Sequence, residues 1–422
     1  MEDSPLDVFP DEIKVNIFCR LPIESLLDCK LTISFVGFDK YQPRDLWYLE
    51  YYDYDDRIST EKRPNYCMRK MNLELPVGVG GLAGSDNGLI CLAAKTKYEG
   101  IPIPGSISGR YIFFTYTANE PLYICNPVTR EFMNLPGILL DEKKSINGVF
   151  IVHGFGYHPK TNEYKVVRIS YVGIPGNPSF ELKGRVEVYT LGGSGRRNAG
   201  ETNYFLWSNR LYSGDPAGFC VNGAIHWKCN ESTDIVVFDL ADEEFHLLRS
   251  PITRLPIIGL SRRKLIVMRG CLCLEYWYSP SLEMELWVLK KNKEENSSSS
   301  SDHMNEQYYY KSWSWSREFI LSSVGNRWDI LCLLKSGEIL LNDDRKVVRC
   351  TSNEGPISST KIMEHNNMFD YWDASHINSF VSLDALGERN VQKFVAQRSQ
   401  MTIQEPLDAD RPVSPARLSN TK

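Results

Sequence analysis

Two hydrophobic periods divide the chain. Over residues 7–30, DVFPDEIKVNIFCRLPIESLLDCK, the side chains of Ile13, Ile17 and Leu21 recur at a spacing of four and fall on one stripe of a helix. Pro10 precedes an acidic first turn, Asp11 and Glu12, which complements the positive end of a helix dipole. Pro22 stops that helix, and Glu24-Ser25-Leu26-Leu27 opens another. Helices shorter than ~15 residues with one apolar stripe build no core of their own. The pair therefore needs a partner surface, either the rest of this chain or another protein.

From about residue 76 the period changes to strands that alternate or run apolar, punctuated by Gly, Asn and Asp. One unit is LYICNPVTREFMNLP, a strand from Leu122 to Cys125, a turn at Asn126-Pro127 and a second strand ending at Leu135-Pro136. It returns as IVVFDLADEEFHLLRSP with Asp239-Leu240 at the turn, and VEVYTLGGSG sets Gly192-Gly193 after a strand. A second unit sets a glycine before a strand in NGLICLAA, VNGAIHWKC, RGCLCLEYW and KSGEILLND, beginning at Asn87, Val221, Arg269 and Lys335. Between the first two of these stands the different unit GFGYHPKTNEYKVVRI at Gly154. Antiparallel units recurring roughly every ~50 to 65 residues are the signature of a β-propeller, in which radial repetition protects the strand edges. A β-sandwich is the alternative, but residues 76–390 are too many for one. The expected fold is mainly β, a short N-terminal helical segment followed by a propeller-like domain of about six blades, with HINSFVSLDAL as the strand that closes the ring.

Residues 290–311, KKNKEENSSSSSDHMNEQYYYK, read as a disordered charged and serine-rich loop, and residues 391–422 as a disordered, proline-containing tail. Residues 46–75 read as a linker, and the carboxylate run at 53–57, DYDDR, as solvated. The chain of 422 residues is 42% hydrophobic, 24% charged and 12% aromatic, the composition of a folded protein. A net charge of −5 and a pI near 5.9 offer nothing to attract nucleic acid or anionic lipid. The acidic N-terminus lacks the basic flank of a secretory signal, which points to cytoplasm or nucleus.

Candidate chemistry is sparse. The eleven cysteines lie in strand-like runs, which reads as buried reduced thiols. Cys271 and Cys273 share a strand face but lack a partner pair at zinc spacing. No phosphate loop, nucleophile elbow or HExxH helix occurs. His158 before Pro159 reads as a turn residue and His226 before Trp227 as a satisfied core residue, so no catalytic, metal or cofactor-binding residue is assigned. Trp277, Tyr278, Trp313, Trp315 and Trp328 read chiefly as packing between blades.

With those residues in view, FPDEI…IFCRLPIESLLDCK resembles the first half of an F-box. The runs GLICL, YICNPVTREFMNLP, GFGYHPKTNEYKVVRI, VEVYTLG, GAIHW, FDLADEEFHLL, MELWVLK, SWSREFIL, GEILL and HINSFVSL resemble, in order, the F-box-associated, kelch-related domain of plant F-box proteins. The resemblance implies a division into an F-box over 1–45, a linker and an interaction domain over 76–390. It also implies a non-catalytic, cofactor-free target receptor of a Skp–cullin–F-box ubiquitin ligase, with partners a Skp-family adaptor, through it a cullin, and an unidentified target protein. Adaptor binding would fall to Pro10, Ile13, Ile17, Leu21, Pro22, Leu26 and Leu27. One departure stands out. After Cys29-Lys30 the chain runs LTISFVGFDKYQPRDLWYL, without the C-K-x-W-x-x-L-I pattern of the family's next helix. The alternative it leaves is an interaction platform whose shortened F-box no longer docks the adaptor.

Overall fold

The computed structural model describes residues 32–39, 46–52, 66–70, 79–94, 98–102, 111–115, 122–137, 149–172, 183–193, 195–206, 217–229, 232–253, 261–278, 283–292, 312–322, 328–334, 337–343, 346–351, 358–364, 369–377 and 379–393. Among these every regular element is a β-strand. The strands form antiparallel runs of four, ordered below from leading to trailing strand. The first combines the two ends of the fold: Phe369–His376, then Thr32–Asp39, Leu46–Tyr52 and Tyr66–Lys70. The second is Val79–Asp86, Leu89–Ala94, Tyr123–Asn126 and Glu131–Asn134, with Gln392–Lys393 added along its outer edge. The third is Val149–His158, Glu163–Val172, Gly184–Thr190 and Gly195–Thr202, and the fourth Ala217–Val221, Ala224–Lys228, Ile235–Asp239 and Phe245–Leu248. The fifth is Ser261–Met268, Cys271–Tyr278, Glu283–Lys291 and Trp313–Ser322, and the sixth Trp328–Leu333, Ile339–Asp343, Lys346–Thr351 and Ser358–Glu364. A two-stranded hairpin, Tyr98–Pro102 with Tyr111–Thr115, is inserted in the second.

The leading strands gather at the centre. Val79–Asp86 contacts Val149–His158, Ala217–Val221 and Phe369–His376, and Ser261–Met268 contacts Ala217–Val221 and Phe369–His376. The third and fourth sheets even share a short parallel bridge, His153 with Ala217 and Gly154 with Gly218. Such an arrangement buries both faces of a sheet, and the side chains of the third and fourth sheets show it. Along EYKVVRISYV, Tyr164 and Val166 pack towards the second sheet, with Leu89, Ile124 and Met133. Val167, Ile169 and Tyr171 pack towards the fourth, with Ile225, Trp227 and Phe238. Successive residues of a strand point to opposite faces, so a sheet covered on both sides needs a continuous apolar run. The fourth sheet repeats the division: Val236 and Phe238 face back, while Ile235 and Val237 meet Leu265, Leu272 and Leu274 of the fifth.

Close approach of the leading strands dictates the glycines of GFGYH. A Cβ on Gly154 would stand 2.6 Å from Trp227 Cζ2 and 2.7 Å from Ile225 Cγ2. Trp227 Nε1 donates to His153 O at 3.0 Å, fixing the ring over that glycine.

Several expectations are corrected. Residues 46–75 hold two strands, and Thr32–Asp39 lies inside the stretch expected as F-box. TISFVGFD and LWYLEYY are rich in β-branched and aromatic residues, which favour strands. HINSFVSLDAL is not a strand beyond His376; the closing strand precedes it, and residues 383–387 turn. Lys290 and Lys291 finish a strand, and Gln392–Lys393 at the start of the expected tail pairs with Glu131 and Phe132. The rest of both disordered-segment expectations, 293–311 and 394–422, lies outside the described residues, as do 53–57 and the helical segment over 7–30.

Candidate interaction faces

Strand order fixes two unlike faces. In a four-strand antiparallel run, the first-to-second and third-to-fourth turns lie at one end; the remaining connections lie at the other. The first end carries tight turns at 86–89, 126–131, 158–163, 190–195, 221–224, 239–245 and 268–271. All the non-glycine residues with positive φ among the described ones, Asn87, Arg130, Asn162, Asn222, Glu243 and Arg269, sit in these turns. Asn, Gly and short polar neighbours tolerate that backbone region, and the sequence supplies them at most of these turns. The other end carries the long connections 94–123, 134–149, 172–184, 202–217 and 248–261. The serine-rich connection between Lys291 and Trp313 and the connection between Tyr52 and Tyr66 are the long exceptions at the tight-turn end.

Buried polar side chains pin the bases of the long connections. Arg168, buried in the middle of its strand, donates from Nη1 to Pro136 O at 2.8 Å, and Arg196 donates to Gly137 O. Glu187 stands between the two guanidiniums, 3.5 Å from each; burial raises its pKa while Arg168 and Arg196 pull it back. Tyr171 OH donates to Tyr204 O at 2.6 Å and accepts from Leu206 N. At the same end Arg263 holds the carbonyls of Thr233, Cys229 and Ser232 in the short connection 228–235. At the tight-turn end, Lys165 Nζ donates to Leu240 O at 2.6 Å and to Glu243 Oε1 at 2.9 Å, and Arg197 pairs with the same Glu243, so the third and fourth sheets are clamped together.

The closing segment crosses the tight-turn end of the second and third sheets. Asn126 Nδ2 donates to Ser379 O and Val381 O, while its Oδ1 accepts from Val128 N and Thr129 N. Glu131 accepts from Ser382 Oγ at 3.0 Å and Leu383 N at 2.7 Å. Leu383 fills the core between the second and third sheets, with Val381, Leu386 and Val391 around it. Glu388 takes Gly192 N at 2.8 Å and the Tyr189 hydroxyl; burial and that carboxylate push Tyr189 up to about 12, so the phenol stays a donor. Ser85 Oγ lies 2.8 Å from His376 Nδ1, joining the closing strand to the second sheet.

Little in the described residues suits bond chemistry. His226 is buried with Nδ1 3.1 Å from Phe219 O, and burial lowers its pKa to about 4. His158 Nδ1 accepts from Thr161 N and caps its turn. Cys271 and Cys273 do share a face, both against the core between the fifth and sixth sheets, and burial pushes Cys273 far up. Among the described residues no three His, Cys, Asp or Glu side chains are grouped to hold a metal. Nor is any helix among them long and apolar enough to cross a membrane. Trp277 and Trp328 pack on the fifth-sixth core, and Trp313 and Trp315 on the fourth-fifth core, while Tyr278 is exposed.

The sequence-derived adaptor set, Pro10, Ile13, Ile17, Leu21, Pro22, Leu26 and Leu27, lies outside the described residues. Sequence reasoning missed the anchors Arg168, Arg263, Asn126 and Glu131. Charged residues inside otherwise apolar strands, as in YKVVRIS, were the available signal.

Residues 62–341 match the family described as the F-box associated beta propeller domain. F-box protein At3g07870 of Arabidopsis thaliana is 26% identical over 399 residues, covering 81% of this chain and 84% of that protein. F-box protein CPR1, also of Arabidopsis thaliana, is 26% identical over 223 residues, covering 49% of this chain and 53% of that protein. The crystal structure of AofleA from Arthrobotrys oligospora aligns at a TM-score of 0.32 and 9% identity, over 80% of this chain and 88% of that one. A family match over most of the chain, covering the second to fifth sheets in full, places this chain in the F-box associated beta-propeller family.

Proposed function

We propose that this chain is the target-recognition subunit of a Skp–cullin–F-box ubiquitin ligase. Residues ahead of Thr32 dock a Skp-family adaptor through Pro10, Ile13, Ile17, Leu21, Pro22, Leu26 and Leu27, and the β domain, read as a six-bladed propeller, holds an unidentified target protein. The observation that carries this reading is the family match over 62–341 behind an F-box-like N-terminal sequence. The faces support a division of labour. Thr32 begins a second strand, so the N-terminal segment joins at the tight-turn end, and the pinned long connections at the other end remain for the target. The chain does no bond chemistry; it raises the concentration of target beside the conjugating enzyme.

Capture of a Skp-family adaptor by the full chain, lost on Leu21→Asp, is the expected result. An intact chain that retains no adaptor overturns the ligase reading. A second reading has its own observation: strand Thr32–Asp39 occupies the positions where the F-box pattern continues with its next helix. On that reading the β domain is an interaction platform outside any ligase, and inserting the missing helix creates adaptor binding that the native chain lacks.

A further inference from the structure

Five large hydrophobic side chains are exposed among the described residues, and three of them belong to the closing region: Val128 at 37%, Ile377 at 65% and Phe380 at 60%. Isolated exposed hydrophobics are ordinary, whereas a cluster marks a contact surface. Two of them are tied together. Asn126 holds the carbonyls on both sides of Phe380, at Ser379 and Val381, and the same side chain accepts from Val128 N. The Phe380 ring is thus presented from a fixed backbone.

The neighbouring chain says what covers it. Ile377 follows His376, whose strand partner is Ser34, so Ile377 lies beside the start of strand Thr32–Asp39. The N-terminal segment therefore leaves next to the patch. Within it Ile23, Leu27 and Leu31 recur in the sequence at a spacing of four, the spacing of one face of a helix that opens directly after Pro22 and runs to the junction. From Thr32 back to Leu27 the chain reaches about 17 Å extended and about 7 Å as helix, enough to lay these side chains on the patch.

We propose that Ile23, Leu27 and Leu31 pack against Ile377, Phe380 and Val128, fixing the adaptor-docking segment to the tight-turn end of the β domain instead of leaving it on a tether. The assignment rests on the reading of residues 7–30 as adaptor-docking helices. It takes Leu27 out of the adaptor-facing set and leaves Ile13, Ile17 and Leu21 in it. A fixed segment holds the adaptor at a constant angle to the target-holding face, which is where a receptor gains its effective concentration.

The test is hydrogen–deuterium exchange on the full chain without adaptor, comparing native protein with Ile377→Ser/Phe380→Ser. Both positions are exposed, so the unfolding midpoint stays put, and the amides of residues 23–31 exchange about tenfold faster or more in the variant. Leu27→Asp gives the same acceleration from the other side of the contact, and Leu21→Asp does not. Unchanged exchange over 23–31 overturns the proposal. So does protection that depends on protein concentration, which assigns the patch to a second copy, or protection seen only after adaptor is added, which assigns it to the adaptor. Since the measurement contains no adaptor, failure to capture one leaves its outcome readable.

Discussion

Asn126 shows how much one side chain decides. The turn it heads is built again at Asp239, whose Oδ1 accepts from Ala241 N at 2.7 Å and Asp242 N at 3.1 Å. A carboxylate oxygen is enough for such a turn. The amide is needed at 126 because its nitrogen also donates to two carbonyls of the closing segment. Asn126→Asp therefore keeps the turn and sets a negative charge against Ser379 O and Val381 O. We expect a loss of about 2–4 kcal/mol in denaturant unfolding, with faster amide exchange confined to 379–391, and a neutral result refutes it. His226 carries a pH consequence. Its folded pKa of about 4 lies below the ordinary 6.5, so between those values the unfolded chain binds the proton that the folded chain refuses. Stability from this group is complete above about pH 6.5 and falls as pH drops towards 4, by on the order of 3 kcal/mol in all. His226→Gln should flatten the pH dependence of the unfolding midpoint over that window, and an unchanged slope sinks the attribution.

At the scale of elements, sheet contact is set by what the leading strands leave out. Gly154 and Gly218 face Ile225 and Trp227 at distances where a methyl group does not fit. Gly154→Ala should cost about 1–3 kcal/mol by overpacking and shift Trp227 fluorescence, whereas a silent substitution would mean that the strands stand further apart. This also explains which elements were legible. GLICL, GAIHW and GCLCLEYW are each a second strand preceded by the first turn of its sheet. YICNPVTREFM and IVVFDLADEEFHLL are third-to-fourth hairpins. Both units announce themselves because tight turns demand Gly, Asn or Asp and the strands are buried on both faces. Leading and outer strands were harder to see. Gly195–Thr202, GRRNAGET, is a largely exposed strand with no apolar period, held by pairing to Gly184–Thr190. Thr32–Tyr52 was hidden by its neighbours, since an F-box-like run directly before it drew the boundary too late. HINSFVSLDAL alternates like a strand, yet its serines serve two turns of the second sheet, and Leu383 enters a core. The proposed adaptor set rests on resemblance alone, because an amphipathic stripe states that a partner is needed and not which one.

Closure is a property of the whole molecule, and it is made twice. Phe369–His376 supplies the leading strand of the first sheet, which joins the two ends of the fold by backbone pairing. Residues 379–393 then fasten the second sheet to the third, through Asn126, Glu131, Tyr189 and Gly192. The second fastening has no room for error: Gly192 has φ +67°, and a Cβ there would lie 1.7 Å from Leu386 O. A truncation series separates the two devices. A chain ending after Lys393 keeps all of these hydrogen bonds and should unfold as the longer chain does. One ending after His376 retains the first-sheet pairing but loses the burial of Leu383 and strips the Asn126 amide nitrogen and the Glu131 carboxylate of their partners in the closing segment, both side chains being buried among the turns. Burying one leucine is worth about 2 kcal/mol and each stranded polar group costs about 1–3 kcal/mol, so the shorter chain should lose about 5 kcal/mol. The loss should be uneven. Exchange should speed first in the second and third sheets, with the core between the fifth and sixth sheets protected longest, because none of its described members comes from the closing segment. Equal loss of protection in all sheets would show instead that the ring opens as one unit and that backbone pairing alone does not close it.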